Sequence, residues 1–312
     1  MLRYLLYKEI NEEKWNDCVS ASTERIVYAF SWYLNTVCMR WDAVVEEQEG
    51  RYVSVFPLPL GRRWGQLGVL QPYFTQQLGL FTTKNTKHKN IEAYFELIPD
   101  RCKSIYLQLN TENSKVIADV EKYDQAERVT FHLDLKPKYE DLLNSYRNRH
   151  KLNKAKRASL QIKPLDNINP LVSIFKATKG KELREVKEKH YRLLARLYAI
   201  LKQQNAAELL QAVDHEENTL AAALFIVQPE KIIFLFSGSS EEGRKAAAMT
   251  LILDHVISRY AGSNRVLDFE GSMVPSVAKF YANFGAAPVA YVSLSKQHKP
   301  WYLKWKEAIS IS

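Results

Sequence analysis

The sequence predicts an α/β protein of two domains, each a twisted mixed β-sheet flanked by helices. Three observations carry this. The chain has 312 residues, and compact domains run to about 100–200 residues each, so two separate cores fit. Strand-like and helix-like segments alternate through the first half, the pattern of layered α/β folds. The second half ends in the order β-β-β-α-β-α-β. Apolar residues make up 46%, with only 11 Gly and 11 Pro, which excludes collagen-like and disordered chains.

The first half opens with a strand from Tyr4 to Tyr7 and a helix through Glu12, Glu13, Lys14 and Trp15. An aromatic stretch from Tyr28 to Leu34 follows, then a strand pair, Trp41 to Glu46 and Tyr52 to Leu58. The alternation of Tyr52, Val53, Ser54, Val55 and Phe56 marks the second of these. Gly65, Gly68 and Pro72 punctuate the next region, ahead of a helix from Asn90 to Leu97 and a strand from Ser104 to Asn110. Turn-rich sequence from Asn110 to Glu127 leads to a strand from Val129 to Leu135. The domain boundary is placed there, giving 1–135 and 136–312, with the last residues returning to the first domain.

In the second half a helix runs from Lys138 to Leu160 and a strand from Leu160 to Leu165, and Asn169-Pro170 starts another helix. Residues Lys181 to Gln204 carry Leu183, Val186, His190, Leu193, Leu194, Leu197 and Leu201 on one face, the spacing of an amphipathic helix packed on a sheet. Glu208 to Val213, Leu220 to Val227 and Ile232 to Phe236 read as an antiparallel meander. A helix bearing Met249, Ile252, Leu253, Val256, Ile257 and Tyr260 comes next. A strand (Arg265 to Phe269), a helix (Ser276 to Phe284) and a strand (Val289 to Leu294) complete the order.

No apolar run reaches the roughly 18 residues of a membrane helix, and the N-terminal apolar stretch is too short for a signal peptide. The three cysteines, Cys18, Cys38 and Cys102, lie far apart without CxxC spacing, which points to a reducing, cytoplasmic compartment. Residues 1–135 hold 16 Lys+Arg against 18 Asp+Glu, whereas residues 136–312 hold 28 against 17. A basic excess of this kind serves an anionic partner or forms a solvated basic surface. The seven histidines show no metal-ligand spacing, so no metal is expected. There is neither a P-loop nor a dinucleotide fingerprint.

The segment Ser237 to Tyr291 has the strand, loop, helix, strand, helix, strand order of the GNAT acyltransferase core. Phe280-Tyr281-Ala282-Asn283-Phe284-Gly285 resembles the Y-x-x-x-G-F box of that family, with Ala286 in place of the final Phe. Arg265 to Ser272 and Tyr146 to Lys156 resemble more specifically the Fem branch. Its members carry two GNAT-like domains in tandem, and many are peptidoglycan aminoacyltransferases that use aminoacyl-tRNA. The resemblance covers the second half. For the first half it rests on length and element order.

The resemblance implies an acyl-donor site at the start of the central helix, where orphan N–H groups and the helix dipole favour an anion. Ser237, Gly238, Ser239, Ser240, Gly243, Arg244 and Lys245 would form it, with acetyl- or another acyl-coenzyme A as cofactor. The family motif there is Q/R-x-x-G-x-G/A, and Ala247 and Met249 stand where glycines are usual. Ser239-x-x-Glu242 also reads as a capping box, which would engage the same N–H groups. Both a coenzyme A site and a merely capped helix fit this stretch.

Tyr281 lies where GNAT enzymes place a general acid for the leaving group; packing on the sheet is the plain alternative. Asp268 and Glu270, two apart on a strand, share a face and suit either a general base or a loop anchor. From Arg147 to Arg157 there are six Lys/Arg and no acid (Arg147, Arg149, Lys151, Lys154, Lys156, Arg157). They spread around most of a helix and suit tRNA or another polyanion, or plain solvation. In the first half, Trp32, Tyr33, Gln71, Tyr73, Gln76 and Gln77 could line a polar-substrate cleft or pack internally.

The expected function is therefore an N-acyltransferase passing an acyl group from acyl-coenzyme A to a small-molecule or peptide amine by direct attack. Backbone N–H groups of a splayed central strand would stabilise the oxyanion. Two alternatives stand beside it. One is a Fem-like aminoacyltransferase using aminoacyl-tRNA. The other is a GNAT-shaped protein without chemistry that binds an anionic partner.

Overall fold

Alternating β-branched and aromatic residues build the first sheet. In the computed structural model, which describes residues 1–116, 122–183, 185–271 and 273–297, β1 (Leu2–Leu5), β2 (Arg40–Gln48) and β3 (Arg51–Arg63) pair antiparallel in that order. Helices α1 (Glu12–Ala21) and α2 (Ser31–Val37) fall between β1 and β2. Asn11 caps α1 by accepting from the Lys14 N–H. β4 (Gln66–Leu70) returns along β3, and β5 (Phe81–Thr82) pairs with its middle. After α3 (Glu92–Glu96), β6 (Ser104–Gln108) lies parallel to β4, with residues Ser293 to Gln297 antiparallel on its other edge. Phe56, Leu58, Tyr94, Phe95 and Leu107 centre this core. Each fully buried side chain of this size contributes about 1.5–3 kcal/mol.

The turn-rich stretch after β6 contains a helix, α4 (Thr111–Val116), started by Asn110, whose side chain accepts from the Asn113 N–H. Part of that stretch, and Ser272, lie outside the described residues. The chain divides into two compact units, Met1–Arg128 with Ala290 onward, and Val129–Val289. The division falls within the strand β7 (Asp124–Asp134). The return of the last strand to the first unit follows from its pairing with β6; residues from 298 on are outside the described part.

In the second unit, the long helix expected from Lys138 to Leu160 is two, α5 (Tyr139–Ser145) and α6 (Arg149–Arg157). They break because Tyr146 turns inward to an edge-on contact with Phe284 and a hydrogen bond to the buried Asp254. β8 (Gln161–Pro164) and α7 (Asn169–Ala177) follow. α8 spans only Glu188–Gln203, and Leu183 is exposed before it. β9 (Ala207–Val213), β10 (Thr219–Val227) and β11 (Lys231–Ser239) form the expected meander. The helix after it is also two, α9 (Glu241–Lys245) and α10 (Ala248–Tyr260). β12 (Val266–Asp268) lies parallel to β11 and antiparallel to residues 132–134 of β7. α11 (Pro275–Ala282) and β13 (Ala287–Gln297) close the order. Gly285 ends α11 at φ +82, and a Cβ there would sit 2.3 Å from the Ser145 hydroxyl, so glycine is required on both counts.

The sheet of this unit thus runs β7-β12-β11-β10-β9-β8. Ile252, Leu253, Val256 and Ile257 of α10 pack on one face with Leu152 and Ala155 of α6. On the other face Phe175 of α7 meets Phe236 of β11 at 4.6 Å. Among the described residues no helix is long and apolar enough to cross a membrane.

Candidate functional site

The site begins with a local failure of pairing. β11 pairs β12 only through Lys231, Ile232 and Ile233, the last opposite Asp268. Just beyond, Phe225 faces Phe234 and Leu224 faces Phe236 across β10 and β11, so Leu235 is a bulge. A bulge bends its strand and increases its twist. From there β11 keeps β10 on one side, and its other edge opens onto a cavity of about 550 Å³. An open strand edge presents backbone N–H and C=O groups to a ligand.

Ser237, Gly238, Ser239, Gly243, Arg244 and Lys245 all line this cavity. Ser240 does not. It caps α9, its hydroxyl accepting from the Gly243 N–H at 2.9 Å. The cap is therefore Ser240 and not Ser239, because β11 stays extended through Ser239. A Cβ on Gly243 would lie 2.1 Å from the Leu220 carbonyl oxygen, so only glycine lets α9 approach β10 this closely. The N–H groups of Arg244, Ala246 and Ala247 donate to the carbonyls of Ser240, Glu242 and Arg244. The turn thus engages these donors internally. Ala247 has φ +56, the left-handed conformation normally left to glycine.

The basic segment splits in two. All six of its Lys/Arg are exposed, but only Lys151 and Lys154 line the cavity. The charges do not surround the helix evenly: Leu152 and Ala155 are buried against α10. Arg149 is held locally by the Leu143 carbonyl and Asn144; Arg147, Lys156 and Arg157 lie outside the cavity lining. Lys151 sits 5.8 Å above the Phe280 ring. Lys179, just past the end of α7, joins from the far side with Phe175 and Thr178. The sequence reading missed these three, and also Phe234 and Phe280. The only local signal was the pair of lysines flanking Gly180. In total the lining carries five Lys/Arg and no Asp or Glu.

Tyr281 also lines the cavity and is 9% exposed. Its ring stacks on Phe269 at 4.8 Å and meets Phe234 edge-on at 6.2 Å. Its hydroxyl has no hydrogen-bond partner among the described residues. Burial, together with the charges of Glu270 and Asp268, pushes its pKa well above the ordinary phenol value.

Asp268 and Glu270 differ from the expected pair on one strand face. β12 stops at Asp268, and Glu270 lies past it at φ +54. Neither lines the cavity. Asp268 is buried and accepts from the Thr130 hydroxyl (2.6 Å), His132 Nε2 (3.0 Å), Lys231 Nζ (3.3 Å) and the Glu270 N–H (3.0 Å). Burial alone would raise its pKa, but the Lys231 ammonium and the His132 and Thr130 bonds prevail and hold it far below the usual carboxylate range. Burial pushes Glu270 the opposite way, well above the ordinary value.

The first-unit candidates are mostly engaged in their own loop. Gln71 donates to the Thr75 carbonyl and accepts from the Gln108 N–H; Gln77 accepts from the Thr111 N–H and donates to Gln76. Tyr33 is buried, with its hydroxyl donating to the Phe74 carbonyl. Trp32 packs on Phe30 and Tyr33. Tyr73, 47% exposed, faces solvent.

No curated protein matches the sequence. Among solved structures, FemX is similar with a TM-score of 0.65 and 12% identity, over 93% of this chain and 96% of that one. A conserved protein of unknown function from Bacteroides thetaiotaomicron VPI-5482 gives 0.60 and 10%, over 96% and 100%. A tandem GNAT protein from the clavulanic acid biosynthesis pathway gives 0.58 and 12%, over 96% and 99%. At these identities the likeness establishes the fold, a tandem GNAT architecture. The model of the FemAB family matches residues 123–286, which take in α6, the splayed strands, Tyr281 and Gly285. With more than half its length matched, the chain belongs to the FemAB family.

Proposed function

We propose that the second unit transfers an aminoacyl group from aminoacyl-tRNA to a small-molecule or peptide amine. The observation that carries this is the cavity's charge: five cations and no carboxylate at an open strand edge. Neutralising phosphates with Lys and Arg supplies a large share of nucleic-acid affinity. Phe175 and Phe280 in the same lining offer rings for unstacked bases. The resemblance to the Fem branch, many of whose members use aminoacyl-tRNA, supports the same donor.

In this reading the donor ester lies along the open edge of β11, whose backbone N–H groups stabilise the developing oxyanion. The amine nitrogen attacks the ester carbon; the C–N bond forms and the C–O bond to the ribose breaks. Tyr281 gives its proton to the departing oxygen. A phenol with a raised pKa keeps that proton at neutral pH, the state a general acid needs.

Acyl-coenzyme A is the second reading, favoured by Ala247, which takes the left-handed conformation at the first glycine position of the family motif. Against it stand the internally bonded N–H groups of the turn.

Bulk tRNA charged with labelled amino acids, and separately labelled acetyl-coenzyme A, should be offered with lysine-containing peptides as acceptors. Label should pass from the alkali-labile tRNA ester to an alkali-stable amide. Tyr281→Phe should fold normally and lose about 10²–10⁴-fold in kcat and kcat/KM together. Transfer from acetyl-coenzyme A alone would reverse the choice of donor.

A further inference from the structure

Resting on the aminoacyl-transfer reading, we propose that His132 is the general base that takes the proton from the attacking amine, with Asp268 as its positioning residue.

Two faces of one sheet meet at the splay. Phe131, Phe269, Phe234 and Tyr281 contact one another on the core face. The alternate residues Thr130, His132 and Lys231 each bond Asp268 on the other. Asp268 stands opposite Ile233, the last residue of β11 before the edge opens. Asp268 is therefore at the vertex of the opening and His132 one strand away on β7, with the proton donor Tyr281 on the core side of the sheet and His132 on the other. The cavity is lined from both faces, by Lys151, Lys154 and Tyr281 on the core side and by Phe175 on the other. An amine reaching the ester from the second face passes the Asp268–His132 dyad, which lies just outside the lining.

The tautomer follows from the bonding. An ionised carboxylate only accepts hydrogen bonds, so Nε2 carries the proton in the 3.0 Å contact. In the neutral ring the lone pair is then on Nδ1, which has no partner among the described residues. The His132 side chain is 20% exposed, against 2% for Asp268. A buried carboxylate orienting a partly exposed imidazole, with the far nitrogen open, is the base-and-orienter arrangement of acyl-transfer sites. Asp268 cannot serve as the base itself, since four donors already occupy it. Lys231 and Asp134 are further charged groups on this face.

The step balances. The amine loses one proton to Nδ1 as its nitrogen bonds to the carbonyl carbon, and the imidazolium later releases it to solvent. Tyr281 protonates the ribose oxygen as the C–O bond breaks and is reprotonated from solvent. The products are an amide and deacylated tRNA.

The test uses the full chain in the label-transfer assay, with charged tRNA and the lysine peptide. His132→Gln, which keeps a hydrogen-bond donor for Asp268, should retain the wild-type Tm and charged-tRNA affinity and lose about 10²–10⁴-fold in kcat. His132→Ala should regain part of its rate when free imidazole is added, a response that a purely structural histidine does not give. Wild-type kcat in a folded His132→Gln protein, or no imidazole response, overturns the assignment while the aminoacyl-transfer reading stands. A wild-type protein that transfers nothing overturns that reading, and this assignment with it.

Discussion

Two acidic side chains, Asp268 and Glu270, show how burial alone does not decide the state of a carboxyl. Asp268 is compensated by a lysine, a histidine, a hydroxyl and an N–H, and stays ionised. For Glu270 burial dominates, and its proton is held more tightly in the folded chain than in the unfolded one. The sign of its linkage is then fixed. Its contribution is fully present below the unfolded value of about 4.3 and is lost as pH rises through the folded value. Glu270→Gln should match wild-type Tm near pH 4 and exceed it by a growing margin toward pH 8. A constant offset, or a margin of the opposite sign, would contradict this burial-driven shift. Asp268 behaves conversely: its stabilisation holds above about pH 3.9 and fades on acidification. The sequence showed both carboxylates but neither outcome, because Thr130, His132 and Lys231 are remote in the chain and join Asp268 only through the pairing of β7, β12 and β11.

At the scale of elements, the β-β-β-α-β-α-β order was legible because apolar alternation and helical spacing are local signals. The breaks were not. Nothing near Tyr146 marks an interruption; it arises because that ring and hydroxyl are recruited by Phe284 and Asp254. Likewise α9 and α10 read as one helix, yet separate at Ala247, which takes a φ of +56. Left-handed backbone costs a residue with a Cβ about 1–2 kcal/mol, partly offset by the chain entropy glycine loses, about 0.5–1 kcal/mol. Ala247→Gly should therefore stabilise the fold by about 0.5–1 kcal/mol. The Tm should rise by roughly 2–4 °C for each kcal/mol in a unit of this size. A lower Tm by calorimetry would mean that the kink is not strained. The cavity was only half legible for a related reason. Its loop residues carry a family pattern, whereas Phe175 and Lys179 enter from a helix that precedes the meander and has no motif.

Across the whole molecule, the sequence located a basic excess in the second half without saying whether it was dispersed. The structure concentrates part of it: Lys151 and Lys154 share a cavity with Lys179, Arg244 and Lys245, while Arg147, Lys156 and Arg157 remain on the surface. Two of the five are partly neutralised, Lys245 by Glu241 at 2.8 Å and Lys179 by Glu182. Lys154 has no carboxylate partner among the described residues. The central claim, that this cavity receives a phosphate-bearing acyl donor, is tested most directly by equilibrium binding of fluorescent charged tRNA to the full chain across a salt series. Wild type and a Lys151→Gln/Lys154→Gln double variant should be compared, with acetyl-coenzyme A as competitor. Binding should weaken steeply with salt, with little competition from acetyl-coenzyme A. The slope of log K against log salt should be shallower in the double variant by about 0.7–0.9 for each phosphate that is no longer neutralised. No binding of charged tRNA at low salt, or equal slopes in the two proteins, would contradict the claim.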